Sequence, residues 1–182
     1  MSDIPAERDA LRQRLRAALR DVPDFPTPGI VFKDITPVLG DSTLLRELVA
    51  AMAAPWEEGG VTHVAGIESR GFILAAPMAI ALGAGFIPIR KRGKLPWTTS
   101  GIDYALEYGS DRLEIHVDAC PVPARVLLVD DVLATGGTAA AGCELIEQVG
   151  GTVMGCAFLL SIAGLHGARR ISHRRVESLL EC

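Results

Sequence analysis

The chain has 182 residues, 49% of them hydrophobic and 22% charged, with a formal net charge of −4. That length and apolar content suit one globular domain able to bury roughly two-thirds of its unfolded surface. The acidic balance gives no broad electrostatic reason to expect nucleic acid or an anionic membrane as partner, so any anion site must be local.

From the N-terminus, Leu11, Leu15, Ala18 and Leu19 recur at helical spacing and predict an amphipathic helix with an Arg-rich outer face. The same stretch is studded with charge and lacks the apolar centre of a signal peptide, so a cytoplasmic protein is expected. Residues 21–29, DVPDFPTPG, hold three prolines and a glycine and read as an ordered loop. Asp41 or Ser42 can cap a helix whose apolar residues are Leu44, Leu45, Leu48, Val49 and Met52.

The chain then alternates: strand 61–67, helix 71–82, strand 86–90, strand 125–129, helix 137–149, strand 152–161. Such alternation predicts an α/β fold, a mostly parallel sheet flanked by helices. Residues 91–117 interrupt it with two short alternating runs, near 104–108 and 113–117, which suggest a hairpin with a flexible loop over about 92–112. Residues 72–89 run without a charge, close to the length needed to cross a bilayer. Pro77, Gly83, Gly85 and Pro88 divide that run into a short helix, a turn and a buried strand, so no membrane span is expected. Cys120, Cys143, Cys156 and Cys182 are widely spaced, without a CxxC pair, and read as reduced thiols.

The richest stretch is VLLVDDVLATGGT, residues 126–138, leading into a helix. An apolar strand runs into two carboxylates, Asp130 and Asp131, and then into a glycine-rich turn, Ala134, Thr135, Gly136, Gly137 and Thr138. A turn beyond the carboxyl end of a strand is where α/β sheets bind ligands. Glycines let main-chain amides approach an anion, the helix start adds partial positive charge, and the threonines add hydroxyl donors. Neither GxxxxGK[ST] nor GxGxxG is present, which excludes a Walker loop and a dinucleotide loop. Two acids beside an anion cradle suit a ribose, whose hydroxyls donate to the aspartates while its 5′-phosphate sits in the turn. A magnesium ion near the diol would complete such a site.

This stretch resembles the phosphoribosyl pyrophosphate motif of the type I phosphoribosyltransferases. FPTPGIVFKDITPVL (25–39), GIESRGF (66–72), RKRGKLP (90–96) and LEYGSDRLEIHVDA (106–119) resemble, in order and spacing, the branch of that family that acts on adenine. The resemblance implies a magnesium-dependent enzyme of purine salvage, acting on adenine and phosphoribosyl pyrophosphate to give AMP and pyrophosphate, and a homodimer. It implies that Ser69, Arg70, Arg90, Lys91 and Lys94 bind pyrophosphate, the basic strand end partly across the dimer. A planar guanidinium at Arg70 suits that task. It further implies that Glu107, beside Tyr108 on the flexible loop, is the catalytic carboxyl group that manages an imidazole proton of adenine. Val31, Phe32, Lys33 and Ile162 would bind the base, with the main chain of Val31 and Lys33 reading its amino edge. All three lysines of the chain fall in these segments, against fifteen arginines spread throughout.

The expected organisation is one domain: an N-terminal helix and base-binding hood over 1–35, a core over 36–165 and a C-terminal tail over 166–182. Ser161 departs from relatives that carry an acidic or amide residue there. A transferase for xanthine, hypoxanthine or orotate would place acidic or lysine side chains after the TGGT helix, and none stands there. A regulator that binds phosphoribosyl pyrophosphate to act on transcription would carry a basic face, which this acidic chain lacks.

Overall fold

The computed structural model describes residues 4–105 and 110–182. Contacts divide the chain into two compact units, 1–51 and 52–182.

In the first unit, helix α1 (Ile4–Ala18) buries Leu11 and Leu15 as its spacing predicts. Strands β1 (Arg20–Pro23) and β2 (Val31–Asp34) pair antiparallel, Asp21 opposite Lys33 and Val22 opposite Phe32. The expected loop over 21–29 is therefore shorter: three of its residues belong to a hairpin. Pro23 fits there because the end of a strand in a two-stranded sheet does not need its N–H. A short helix α2 (Thr36–Gly40) precedes α3 (Ser42–Ala53). Asp41 caps α3, its Oδ1 accepting the main-chain N–H groups of Thr43 at 2.8 Å and Leu44 at 3.0 Å. Those bonds, the Leu44 one foremost, hold the Asp41 carboxyl below its ordinary value.

The second unit is built on a seven-stranded sheet. Its strands are β3 (His63–Ile67), β4 (Gly85–Lys91), β5 (Thr99–Ala105), β6 (Ser110–His116), β7 (Arg125–Leu133), β8 (Thr152–Ser161) and β9 (Val176–Glu181), in the order β5-β6-β4-β3-β7-β8-β9. From β4 to β9 the neighbours are parallel, and the β5–β6 hairpin joins antiparallel to β4. Helix α4 (Arg70–Ala81) connects β3 to β4, and α5 (Gly137–Gln148) connects β7 to β8. The two crossovers travel in opposite directions from the centre, so right-handed connection puts the helices on opposite faces. Pro77 lies inside α4, whose 12 residues are followed by β4, so the uncharged run 72–89 is a helix and a strand as expected. No helix among the described residues is long and apolar enough to cross a membrane.

The hairpin expected over residues 91–117 is formed by seven ladder pairs that join β5 to β6. Cross-strand pairing, with Ile102 opposite the buried Leu113, overrides a polar composition that reads as loop. The expected tail contains β9, whose Leu179 and Leu180 are buried beside β8. Two short 3₁₀ segments, Ala163–Leu165 and Gly167–Ile171, lead to it.

One packing detail fixes the outer half of the sheet. Between β7 and β8 the register shifts from Val126 opposite Val153 to Leu127 opposite Gly155, leaving Met154 as the extra residue of a bulge. The Trp56 ring lies against Gly155, and the Arg175 guanidinium sits 4.4 Å from the ring centroid. A Cβ at Gly155 would overlap the indole and come 2.7 Å from the Arg175 carbonyl, so the main chain as well as the side chain resists it. Gly155→Ala is expected to cost about 1–3 kcal/mol, as overpacked cores do. Thermal denaturation reads this as a fall in Tm of several degrees, and an unchanged Tm would show that Trp56 can move away.

Candidate active site

The strand order reverses its direction of growth between β3 and β7, and at such a point the loops leaving two adjacent strands diverge and open a crevice at their carboxyl ends. The loop after β3 brings Glu68, Ser69 and Arg70 to that crevice, and β7 with the following turn brings residues 130–138.

The turn holds its shape through glycine. Gly136 has φ +79°, which side-chain-bearing residues rarely adopt, and it stands at the N-cap of α5. No acidic residue occupies the first turn of that helix, which leaves its positive end for an anion. Gly136 and Gly167 press together: a Cβ on Gly136 would overlap the Gly167 carbonyl, and one on Gly167 would overlap the Ala134 carbonyl. The 3₁₀ segment beyond β8 therefore braces the turn from behind. Nothing near Gly167 in the sequence marks this role, because its partners lie some thirty positions earlier. Gly137 is buried; Ala134, Thr135 and Thr138 are half-buried.

The two acids are not beyond the strand but within it, since β7 continues to Leu133. Pairing with β8, Asp130 opposite Phe158 and Val132 opposite Leu160, carries the strand past the carboxylates that the sequence reading took as its end. Asp131 is 3% exposed, and the Arg70 Nε donates to its Oδ2. Asp130 Oδ1 accepts the Asp131 main-chain N–H at 2.9 Å. Burial, and then the negative charge of Asp131, push the Asp130 carboxyl well above its ordinary value. Gly71 permits this closeness, for a Cβ there would stand 2.8 Å from Asp130 Oδ1 and 3.0 Å from the Val129 carbonyl.

Three of the basic residues expected at this edge, Arg70, Arg90 and Lys91, are each met by an acid. Glu68 Oε2 accepts both Arg90 Nε and the Lys91 N–H, each at 3.0 Å, and Arg90 also donates to the Lys94 carbonyl at 2.9 Å. Lys91 Nζ pairs with Asp111 Oδ2 of β6 at 3.1 Å, and that hydrogen bond raises the Lys91 ammonium pKa. Lys94 is exposed on the turn after β4, and Ser69 is exposed at the N-cap of α4. Glu68 and Asp111, absent from the sequence reading, complete this arrangement.

Val31, Phe32 and Lys33 lie on β2 in the first unit. Val31 and Lys33 are two positions apart in an extended strand, so their main-chain groups point to the same edge. Phe32 packs edge to face with Phe25 at 5.2 Å between centroids, and Lys33 Nζ pairs with Asp21 at 2.7 Å. Ile162, in the second unit, is half-buried just after β8, its N–H bonded to the Leu133 carbonyl at 3.0 Å. The Ser161 hydroxyl donates to the Leu180 carbonyl at 3.4 Å, toward β9. Glu107 and Tyr108 lie outside the described residues.

Residues 44–179 match the phosphoribosyl transferase domain family. The chain is 57% identical over 166 residues to the adenine phosphoribosyltransferase of Anaeromyxobacter dehalogenans (strain 2CP-1), an alignment covering 91% of this chain and 96% of that one. The crystal structure of the Rhodothermus marinus adenine phosphoribosyltransferase superposes with a TM-score of 0.91 at 51% identity, covering 96% of this chain and 99% of the other. The Saccharomyces cerevisiae enzyme, crystallised with an imino-altritol bisphosphate and adenine, superposes with a TM-score of 0.90 at 38% identity, covering 94% and 99%. The chain belongs to the phosphoribosyltransferase family and, within it, to the adenine phosphoribosyltransferases.

The raised Asp130 carboxyl has a consequence for stability. In the folded chain it keeps its proton above the ordinary value of 3.8, at which the unfolded chain loses it. The native state thus binds more protons in that window, and stability falls as pH rises through it. Asp130→Asn removes the loss. Measured without substrate and with a chelator present, the variant is expected to have a higher Tm than the parent, by a margin that grows as pH rises above the ordinary carboxylate range. A margin independent of pH would show that Asp130 is charged throughout.

Proposed function

We propose that this chain transfers the 5-phosphoribosyl group from phosphoribosyl pyrophosphate to adenine, giving AMP and pyrophosphate. The observation that carries the reading is the crevice between β3 and β7, where the Arg70 loop faces the paired acids and the glycine–threonine turn. The turn, Ala134 to Thr138, takes the 5′-phosphate, and Asp130 and Asp131 take the ribose hydroxyls. Ser69, Arg70, Arg90, Lys91 and Lys94 take the pyrophosphate. Arg70 can keep Asp131 and still reach an anion, because a guanidinium carries five N–H donors; Lys91 has three.

Reaction at the anomeric carbon breaks the bond to pyrophosphate as adenine approaches, leaving positive charge on the ribose. The carboxylates of Asp130 and Asp131 lie beside that charge, and the basic groups lie beside the departing anion. Two adjacent acids that disfavour each other's charge favour a cation beside them, and magnesium, which accepts few carboxylates and keeps its waters, suits the pair. When bound, magnesium offsets the charge of the leaving group. Glu107 accepts the imidazole proton of adenine, an effect worth roughly 10²–10⁴-fold in rate. The adenine roles of Val31, Phe32, Lys33 and Ile162 rest on the family resemblance, as does the place of Tyr108 beside Glu107.

A homodimer in the cytoplasm is part of the same reading. Ile73 and Ile80, seven positions apart on α4, are 45% and 82% exposed, and Phe86 of β4 is 39% exposed, which together offer an apolar surface to a second copy.

Purified protein supplied with phosphoribosyl pyrophosphate, magnesium and each nucleobase in turn is expected to form nucleotide efficiently from adenine alone. Comparable rates with hypoxanthine, xanthine or orotate would overturn the assignment. Glu107→Gln is expected to lower turnover by at least about tenfold with little change in substrate affinity; equal turnover in the variant would remove Glu107 from its role.

A further inference from the structure

Glu114 lies in the middle of β6, opposite Arg90 of β4 and Gly101 of β5, and although it is charged it is only 8% exposed. A carboxylate withdrawn from water needs donors for its oxygens. Glu114 has two: the Gly93 N–H donates to Oε2 at 2.8 Å, and Arg112 Nε stands 3.5 Å from Oε1. Arg112 also donates to Asp103 Oδ2 at 3.0 Å, so its place in the hairpin does not rest on Glu114 alone. The bond to Gly93 is the one that leaves the hairpin and reaches toward the site.

Gly93 belongs to the turn by which the chain leaves β4. The Lys94 N–H donates to the Lys91 carbonyl at 3.2 Å and closes that turn, and the Arg90 guanidinium donates to the Lys94 carbonyl at 2.9 Å. Gly93, with φ +73°, is the third of the four residues, where some turn types require positive φ. The bond from the fourth residue back to the first uses no donor of the third, so the Gly93 N–H needs an acceptor from outside, and Glu114 supplies it. The Lys91 side chain is fixed separately, by Asp111. Lys94, exposed at the end of the turn, takes its position from the main chain that carries it.

We propose that Glu114 is a positioning residue for the pyrophosphate end of phosphoribosyl pyrophosphate: by accepting the Gly93 N–H, its carboxylate locks the turn after β4 and so presents Lys94 to the leaving group. This rests on the reading of Lys94 as a pyrophosphate ligand. What the role demands of residue 114 is reach rather than charge, because the acceptor must span from β6 to the turn, whereas the charge faces Arg112, which Asp103 already holds.

Two conservative variants separate reach from charge, read as steady-state constants on the full chain with magnesium. Glu114→Asp keeps the charge but is one methylene too short for Gly93; it raises KM for phosphoribosyl pyrophosphate roughly threefold to tenfold, the size of one hydrogen bond, and leaves KM for adenine within about twofold. Glu114→Gln keeps an oxygen at full reach without the charge, and both constants stay within about twofold of the parent. In a Lys94→Ala background Glu114→Asp adds less than about twofold, because the group it positions is gone. A residue that served only to neutralise Arg112 would give the reverse order, with Glu114→Gln the impaired chain. That order, equal shifts for both substrates, or a full additional effect in the Lys94→Ala background would each overturn the proposal alone. Lys94→Ala with an unaltered KM for phosphoribosyl pyrophosphate would overturn the pyrophosphate role of Lys94, and this proposal with it.

Discussion

Asp131 sits almost wholly buried in the middle of the sheet's carboxyl edge, and the Arg70 guanidinium lies against it. A carboxylate removed from water in this way needs a partner, and removing one member of such a pair leaves an uncompensated charge that is strongly destabilising. The pair thus requires the start of α4 to reach across to β7, which Gly71 alone allows, since any side chain there would collide with Asp130 and the Val129 carbonyl. Closing the two loops of the switch point onto each other is therefore both a structural necessity and the means by which the cationic and acidic halves of the site meet.

The same pattern extends along the edge. Arg90 is held by Glu68, Lys91 by Asp111 and Arg70 by Asp131, so these three cations each come with an acid. A chain of net charge −4 thus gathers cations at one edge of its sheet. The positive charge is local, fixed in direction and multidentate, while the overall field stays acidic. Each acid orients a donor-rich head without exhausting its N–H groups. The pairs also bind distant elements together: Asp111 joins the hairpin to the end of β4, and Glu68 joins the end of β3 to β4.

The glycine–threonine turn depends on a different constraint, that of volume. Gly136 takes a left-handed conformation at the start of α5, and Gly167 fills the space behind it so closely that neither position has room for a methyl group. An anion cradle made of main-chain amides works only while those amides keep a common direction, and contact from the segment beyond β8 maintains it. The residues that hold the cup are thus divided between two stretches of chain.

Much of this was legible in the residues themselves. The alternation of apolar runs with capped helical stretches located β3, α4, β4, α5 and β8 within one or two positions, because burial on a parallel sheet demands such runs. The order of Asp130, Asp131 and the TGGT turn pointed to the carboxyl edge of the sheet because those residue types carry their chemistry in a few neighbouring positions. What tertiary structure alone decided was long-range: that β7 continues through its acids because β8 pairs beside them, that residues 99–105 and 110–116 form a ladder, and that 176–181 completes the sheet. The neighbours Glu68, Asp111 and Gly167 were likewise invisible, because each acts through a contact with another part of the chain. Local composition records what a residue can do; only the packing of distant segments records which neighbour it does it to.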